Sequence, residues 1–374
     1  MFFRISTARC ATRVVPVAYV ARVSPAVPDT HAVHVAHVPV VLTGVVPVAH
    51  AYWKLSKGYL SVWCALSTLP GFLLSSSTLG VFPLSCLLVG STLAAGSSQA
   101  LNQAKEFLQD SKMARTKNRP IPSGEISVEA ATRFARISAA AGFGLLTVGA
   151  GGSLAPACVA MSTIGLYVWG YTPLKMLSPY NTHVGAVAGS LPVLIGFGLA
   201  GGWPILATPL PWFVFTVQTL WQFPHFYPLA WMYKDDYSRG GYRMFPLGDE
   251  SGLATARMCF PYMVALTAAP FAAAALGLTS CMFPVSGSVL NAIWYKNWYD
   301  FYTLPSKKTA RIYFLGSLWY LIGMLGLVVV HARIENEPAW RTRVKNGLEN
   351  VCVHKGAATA GKDACVGAVK QFTS

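Results

Sequence analysis

Three polar side chains recur at every fourth position where a long apolar stretch ends: Asn102, Glu106 and Asp110. In a helix this spacing stacks them on one face. Carboxylate and amide oxygens suit Mg²⁺, which combines a few protein ligands with the phosphate oxygens of a substrate. A solvated helix beside a membrane is the plainer interpretation. It does not explain acidic groups that enter an apolar segment, where ionised side chains are costly, so the row predicts a metal and phosphate site.

Basic side chains follow this acidic row. Arg115 and Arg119 come directly after it, and guanidinium groups match the geometry of phosphate oxygens. Lys175 closes another apolar stretch, shortly after Tyr171. Its ammonium group either reaches the membrane interface or points at a phosphate in a cavity. Together, a metal ion and these cations would neutralise the charge that develops on a diphosphate leaving group.

A second polar segment carries an acidic pair of its own. Asp235 and Asp236 stand beside Lys234, so two acidic clusters on one membrane side would face a single diphosphate. The segment is preceded by His225, which lies near the end of an apolar stretch. This histidine is either an interfacial side chain or a substrate contact, and the sequence leaves both interpretations open.

The composition places these side chains in a membrane protein. Charged residues make up 11% of the chain and hydrophobic residues 53%, with a mean hydropathy of +0.45, whereas soluble domains carry about 25% charged residues. Apolar stretches of about twenty residues, the length that crosses a bilayer, recur at 58–78, 81–103, 127–149, 153–173, 183–202, 206–226, 254–277, 279–301 and 309–331. We therefore predict an all-α polytopic membrane protein, a bundle of about nine transmembrane helices in a lipid bilayer.

The ends of the chain have a different composition. Residues 1–51 contain Arg4, Arg9, Arg13 and Arg22 but a single acid, a balance typical of mitochondrial transit peptides. We predict a transit peptide and low-complexity leader over 1–51, a transmembrane domain over 52–332 and a basic C-terminal tail over 333–374.

The net charge of +15 lies mostly in the links between apolar stretches. Nucleic-acid binding is another interpretation of a basic excess, but this placement argues against a nucleic-acid partner. With nine spans, the links 103–126, 174–182, 225–253 and 302–308 share one side and hold most of the Lys and Arg. The positive-inside rule then orients this side toward the matrix across the mitochondrial inner membrane.

Four motifs together resemble the haem O synthase members of the UbiA-type intramembrane prenyltransferases. They are N-Q-x-x-E-x-x-x-D-x-x-M-x-R-T-x-x-R-P from Asn102, Y-T-P-L-K from Tyr171, W-Q-x-P-H-F from Trp221 and D-Y-S-R-G-G-Y from Asp236. The resemblance covers about 52–332. It implies a central cavity and the transfer of a farnesyl group from farnesyl diphosphate to a vinyl group of haem B. The product, haem O, would then pass to a downstream haem-modifying enzyme on the way to haem A for cytochrome c oxidase.

The resemblance also implies roles for individual residues. Mg²⁺ and diphosphate would be held by Asn102, Glu106, Asp110 and Asp236, which with Lys175 form the predicted catalytic set. Phosphate oxygens would also contact Arg115, Arg119 and Lys234. Further substrate contacts would come from Tyr171, Trp221, Gln222, His225 and Asp235, with His225 a candidate iron ligand of haem.

The chain departs from the family pattern at two places. Gly240 and Met232, four residues either side of Asp236, leave the second acidic row incomplete, so the number of metal ions stays open. Met176 stands where haem-specific members often have Arg. Two other functions compete with haem farnesylation: prenylation of a quinone precursor, and haem handling or transport without catalysis.

Overall fold

The computed structural model describes residues 45–76 and 79–333. Most of the predicted leader and of the predicted tail lies outside these ranges. The described residues form helices, with a single isolated bridge between Thr279 and Ala332. The helices are α1 (Val45–Leu55), α2 (Gly58–Leu66), α3 (Leu69–Ser75), α4 (Val81–Lys112), α5 (Val128–Gly149), α6 (Ala155–Gly165), α7 (Thr172–Leu177), α8 (Asn181–Leu206), α9 (Pro209–Met232), α10 (Lys234–Arg239), α11 (Leu253–Ala275), α12 (Phe283–Thr303) and α13 (Lys307–His331).

Each of the nine predicted apolar stretches coincides with a helix or a pair of short helices. Within the ranges that the structure describes, five segments are long and apolar enough to cross a membrane: Gly58–Ser75, Val81–Lys112, Asn181–Leu206, Leu253–Ala275 and Lys307–His331. The prediction of an all-α polytopic membrane protein is confirmed, while the count of nine spans stays a prediction.

Helix α4 is longer than the apolar stretch that predicted it. It continues from the membrane span to Lys112 and carries the whole acidic row with it. The extension contains Ala, Gln, Lys, Glu and Leu with no Gly or Pro, and these residues lose little conformational freedom in a helix. The row is therefore held on a rigid element.

Close backbone contact joins α3 to α8. A Cβ atom at Gly196 would lie 1.9 Å from the carbonyl oxygen of Thr68, and one at Gly71 would lie 2.4 Å from that of Val193. Small residues drive helix association in membranes because they let backbones approach closely. Helix α8 also packs on α6 and α9, while α9 contacts α11 and α13, so α8 and α9 lie at the centre of the bundle.

A π-helical turn at Leu166–Tyr171 joins α6 to α7. The Thr172 hydroxyl donates to the carbonyl oxygen of Tyr167 at 2.9 Å and stabilises the widened turn. Such turns are frequent at functional sites, because they redirect the side chains that follow. Here the turn precedes the short helix that carries Lys175.

Candidate active site

The acidic row is buried inside the bundle. Asn102, Glu106 and Asp110 are 1%, 5% and 1% exposed, and all three project from the same face of α4, as the four-residue spacing predicted. Burying an ionised carboxylate is costly unless opposite charges and hydrogen-bond donors surround it. The identity of those partners therefore defines the site.

Glu106 is paired with a cation from α7. The Nζ atom of Lys175 lies 2.8 Å from Oε1 of Glu106, and the other oxygen accepts a hydrogen bond from Nδ2 of Asn102 at 2.8 Å. The same Asn102 amide donates to the Thr172 hydroxyl at 3.1 Å. The lysine ammonium also lies over the rings of Tyr171 and Tyr242, at 4.6 and 5.6 Å from their centroids. Lys175 therefore points into the site and not toward the membrane interface.

A second lysine, the half-buried Lys57, reaches the same row from the link between α1 and α2. Its ammonium donates to Oε1 of Gln99 at 2.7 Å and to Oδ1 of Asn102 at 3.3 Å. Its backbone adopts a left-handed conformation, with φ 46° and ψ 52°, which costs a residue other than glycine roughly 1–2 kcal/mol. Three links, Lys57 to Asn102, Asn102 to Glu106 and Glu106 to Lys175, thus form one polar chain.

Asp110 meets an arginine from the loop after α4. One of its oxygens, Oδ2, lies 2.6 Å from Nη1 of Arg119, while Oδ1 is buried and has no hydrogen-bond partner among the described residues. The loop is fixed at its start because the Thr116 hydroxyl donates to the carbonyl oxygen of Asp110 at 2.8 Å. A buried carboxylate oxygen without a donor is suited to a metal ion.

The second polar segment touches the first at Asp236. Its Oδ1 atom accepts a hydrogen bond from the backbone N–H of Ala114 at 3.1 Å and is ion-paired with Arg239. Burial alone would raise the pKa of Asp236, but these donors lower it below its usual value, so the carboxylate stays ionised. The predicted meeting of the two acidic segments at one end of the bundle therefore occurs in the structure.

The other charged residues predicted near Asp236 make different contacts. Asp235 is exposed, and Lys234 donates to the carbonyl oxygen of Asp249 at 3.0 Å. Arg115 lies over the rings of Tyr233 and Tyr237, at 5.3 and 5.7 Å from their centroids. Of these three residues, Arg115 and Asp235 are exposed, whereas Lys234 is partly buried.

The donor set fits Mg²⁺ together with a diphosphate. Among the described residues no three His, Cys, Asp or Glu side chains lie close enough to hold a metal ion by themselves. The oxygen atoms of Asn102, Asp110 and Asp236 are nevertheless hard donors, and Mg²⁺ is usually bound by one or two carboxylates with substrate phosphates completing its shell.

His225 occupies a separate cluster between α9 and α13. Its ring is stacked between those of Trp221 and Phe314, with centroids 4.4 and 4.6 Å away, and its Nδ1 atom lies 2.7 Å from the Ser317 hydroxyl. That hydroxyl donates its hydrogen to the carbonyl oxygen of Phe314 at 2.5 Å, so it can only accept from the imidazole. Nδ1 is then protonated and Nε2 keeps its lone pair, the state that binds a metal ion.

Two other motif residues on α9 make structural contacts. Nε1 of Trp221 donates to the carbonyl oxygen of Ser317 at 2.7 Å. Nε2 of Gln222 donates to the carbonyl oxygen of Ala186 and to the Ser190 hydroxyl, both at 2.8 Å. These bonds hold α9 against α13 and α8, and they fix the helix that carries His225.

Comparison with known proteins identifies the family. The UbiA prenyltransferase family matches residues 61–322, well over half of the chain. The chain belongs to this family. The resemblance that the four motifs suggested is therefore confirmed.

Several individual members of the UbiA family are similar to this chain. The protein named "Protoheme IX farnesyltransferase, mitochondrial" from Arabidopsis thaliana is 36% identical over 311 residues, which cover 81% of this chain and 69% of that protein. "Protoheme IX farnesyltransferase" from Rhodopirellula baltica is 34% identical, over 75% of this chain and 99% of that one. A UbiA homolog from Archaeoglobus fulgidus, solved with GPP and Mg²⁺ bound, has the same fold, with a TM-score of 0.57 at 12% identity over 74% of this chain and 99% of that chain.

The structure unites some of the predicted site residues and separates others. Asn102, Glu106, Lys175 and Tyr171 share one cluster, whereas His225 belongs to a second cluster with Trp221, Phe314 and Ser317. Lys57 was not predicted as a site residue, although it lies directly before an apolar stretch. Tyr242 closes the fourth sequence motif, but its contact with Lys175 depends on the fold. Ser317 gave no sequence signal, because its contact with His225 joins distant segments.

Proposed function

We propose that this chain transfers a farnesyl group from farnesyl diphosphate to a vinyl group of haem B and so makes haem O. The observation that carries the proposal is the buried row on α4 with Lys57, Lys175 and Arg119 directed at it, in a UbiA family chain 36% identical to a protoheme IX farnesyltransferase. Three cations facing carboxylates in a membrane interior suit a diphosphate, whose negative charge exceeds that of the row.

The reaction begins when the allylic C–O bond of farnesyl diphosphate breaks and both electrons stay on the diphosphate. Lys57, Lys175 and Arg119 stabilise this developing negative charge. Lys175 and Arg119 need only turn from the carboxylates that they contact in the structure, and Lys57 from its two amide partners. Mg²⁺, when bound by Asn102, Glu106, Asp110 and Asp236, supplies further positive charge for the leaving group.

The acceptor then provides the electrons for the new bond. The π electrons of the haem vinyl group form a C–C bond with the allylic carbon, which leaves a cation on the vinyl carbon beside the ring. A water molecule adds there and loses one proton, giving the hydroxyethylfarnesyl group. The apolar bundle limits the access of water to the first cation, so that the vinyl group reacts before solvent does.

The chain also supplies a place for the haem iron. His225 is positioned by Trp221, Phe314 and Ser317 with Nε2 unprotonated. A histidine that donates its other N–H to a fixed acceptor is the usual arrangement for a metal ligand. We propose that His225 binds the iron of the acceptor and sets the distance of its vinyl groups from the diphosphate cluster.

The protein acts in a mitochondrial membrane. Its relative from Arabidopsis thaliana carries the word mitochondrial in its name. We further propose the inner membrane, with the end that holds α10 and the loop after α4 facing the matrix. A downstream enzyme that oxidises the product would receive haem O laterally through the bilayer.

One assay tests the reaction. Purified protein in lipid nanodiscs is incubated with haem B, farnesyl diphosphate and Mg²⁺, and the products are analysed by mass. We expect a haem whose mass has increased by one farnesyl group and one hydroxyl group. A prenylated aromatic acid as the only product, when such acids are added, would identify a quinone-precursor enzyme. No prenyl transfer by folded protein would favour haem handling without catalysis.

A further inference from the structure

An open cleft of about 750 Å³ lies at the end of the bundle that holds Asp236. This volume is within the range of small-molecule sites, about 300–1,000 Å³. Its walls come from the loop after α4, from the end of α9 with α10, and from the first turns of α13. The charged lining residues are Asp235, Asp236, Arg239, Lys307, Lys308 and Arg311. Four bases and two acids leave the cleft with an excess of two positive charges.

The three cations of α13 are uncompensated in the described part of the chain. Arg239 is paired with Asp236, but Lys307, Lys308 and Arg311 form no ion pair or hydrogen bond with any residue in 45–76 or 79–333. All three are exposed. Three unpaired cations along one helix end attract a ligand that carries carboxylates or phosphates.

The remaining wall of the cleft is apolar. Met232, Ile312 and Leu315 line it, and Phe314, the residue before Leu315 on α13, stacks on His225. A ligand that fits this arrangement combines anionic groups with an apolar body.

The depth of His225 matches such a ligand. A helix rises about 1.5 Å per residue, which places His225 about 10 Å deeper in the bundle than Met232 at the cleft. This separation is comparable with that between the centre of a porphyrin and its propionate carboxylates. A tetrapyrrole with its iron at His225 would therefore extend its carboxylates toward the cations of α13.

We propose that Lys307, Lys308 and Arg311 bind the two propionate groups of the acceptor haem in this cleft. The proposal rests on the proposed function and adds the residues that orient the acceptor. With the propionates held at the α13 rim and the iron at His225, the opposite, vinyl-bearing edge points further into the bundle. Asp236 lies on the wall of the same cleft, so donor and acceptor sites adjoin.

The test compares haem B with its dimethyl ester, in which both carboxylates are blocked. The variant is K307Q/K308Q/R311Q, and the control R133Q/R136Q/K296Q removes three positive charges at exposed positions that do not line the cleft. The dissociation constant of each haem and the KM of farnesyl diphosphate are measured for parent, variant and control. The binding titration needs no turnover, so its outcome is independent of whether the farnesylation assay succeeds.

We expect the variant to weaken haem B binding about tenfold, since exposed ion pairs contribute about 0.2–1 kcal/mol each. Binding of the dimethyl ester, the KM of farnesyl diphosphate and all properties of the control should stay at parental values. An equal loss of affinity for haem B and for its dimethyl ester would overturn the proposal. A change confined to a higher KM of farnesyl diphosphate would overturn it as well. An effect seen only in nanodiscs that contain anionic phospholipid would assign the cations to lipid headgroups instead.

Discussion

Asp110 combines two environments in one side chain. One oxygen is held by Arg119, while the other is buried with no donor among the described residues. A side chain with only a structural role would have both oxygens satisfied. The unsatisfied oxygen is therefore the feature that an arriving metal ion would use.

Replacing Asp110 with Asn tests this assignment. The amide keeps the size of the side chain but removes the charge that a metal ligand needs, so we expect D110N to lower kcat by about 100-fold or more. The abundance of the protein, and the size of the protein after extraction into detergent, should be unchanged. The control is D300N, which neutralises an exposed carboxylate on α12. Turnover of D110N at the parental rate would show that Asp110 is not a ligand.

The environment of His225 predicts a spectroscopic effect. Removing the imidazole in H225A should weaken haem B binding about tenfold and shift the haem absorption bands, because Nε2 no longer reaches the iron. The KM of farnesyl diphosphate should stay constant, since His225 has no contact with the α4 cluster. S317A should give a smaller change in the same direction, and H50A, at an exposed position on α1, should give none. Unchanged spectra in H225A would exclude iron ligation.

At the scale of elements, α11 depends on one carboxylate that precedes it. Asp249 accepts hydrogen bonds from the N–H of Gly252 at 2.8 Å and from the N–H and hydroxyl of Thr255, both at 2.7 Å. Its carbonyl oxygen accepts from Trp231 and Lys234. Asp249 therefore fixes the start of α11 against the end of α9, which is the wall of the haem cleft.

This arrangement predicts a pH dependence of stability. Burial alone would raise the pKa of Asp249, but the donors from Thr255, Gly252 and Ser251 lower it below its usual value. A carboxylate with a lowered folded-state pKa stabilises the fold above its unfolded pKa of about 3.9, and that stability is lost as the pH falls through the folded value.

We expect D249N to destabilise the protein by about 1–2 kcal/mol at pH 7. The N–H groups of the new amide would face the N–H and hydroxyl of Thr255, which are donors themselves. Thermal unfolding in detergent should show this difference shrinking below about pH 4. E250Q, at the exposed neighbouring position, should match the parent throughout. A destabilisation that stays constant down to pH 3 would contradict the role of the charge.

The close contact of α3 with α8 predicts an effect on the yield of folded protein. A valine at Gly196 cannot fit beside the Thr68 carbonyl oxygen without separating the helices, so G196V should greatly reduce the yield of folded protein. G144A is the matched control, since nothing lies within 4 Å of its new Cβ atom and alanine favours the helix by about 0.5–1 kcal/mol. The yield and the unfolding temperature are measured for both variants. A parental yield of G196V would contradict the close approach of α3 and α8.

Within the described residues, one end of the helix bundle is polar. The loop after α4, the links around α7 and α10, and the start of α13 lie together there, as the lining of the cleft and the Arg243 N–H bond to the Lys175 carbonyl oxygen show. The links at the other ends of these helices carry few charges. This asymmetry underlies the proposed orientation toward the matrix.

Orientation is measured by labelling in mitoplasts with a membrane-impermeant thiol reagent, in a background without other cysteines. A cysteine at Lys117, on the polar end, should react only after the membrane is permeabilised. A cysteine at Ala207, in the exposed link after α8, should react before permeabilisation. The reverse order would place the active site on the other side of the membrane.

The sequence alone determined the fold class and much of the α4 cluster. Apolar length sets a membrane helix because the bilayer core has a fixed thickness. Four-residue spacing sets a common helix face because the helical period is fixed. Both relations are local, so Asn102, Glu106 and Asp110 were placed correctly before any contact was known.

Only the tertiary structure decided the partners of these side chains. Lys57 joins Asn102 across 45 positions of sequence, and Ser317 fixes the tautomer of His225 across 92. The cations of α13 face Asp235 and Asp236 only because α13 packs on α9. Such pairs follow from which helix faces meet in the bundle, and no local spacing carries that information.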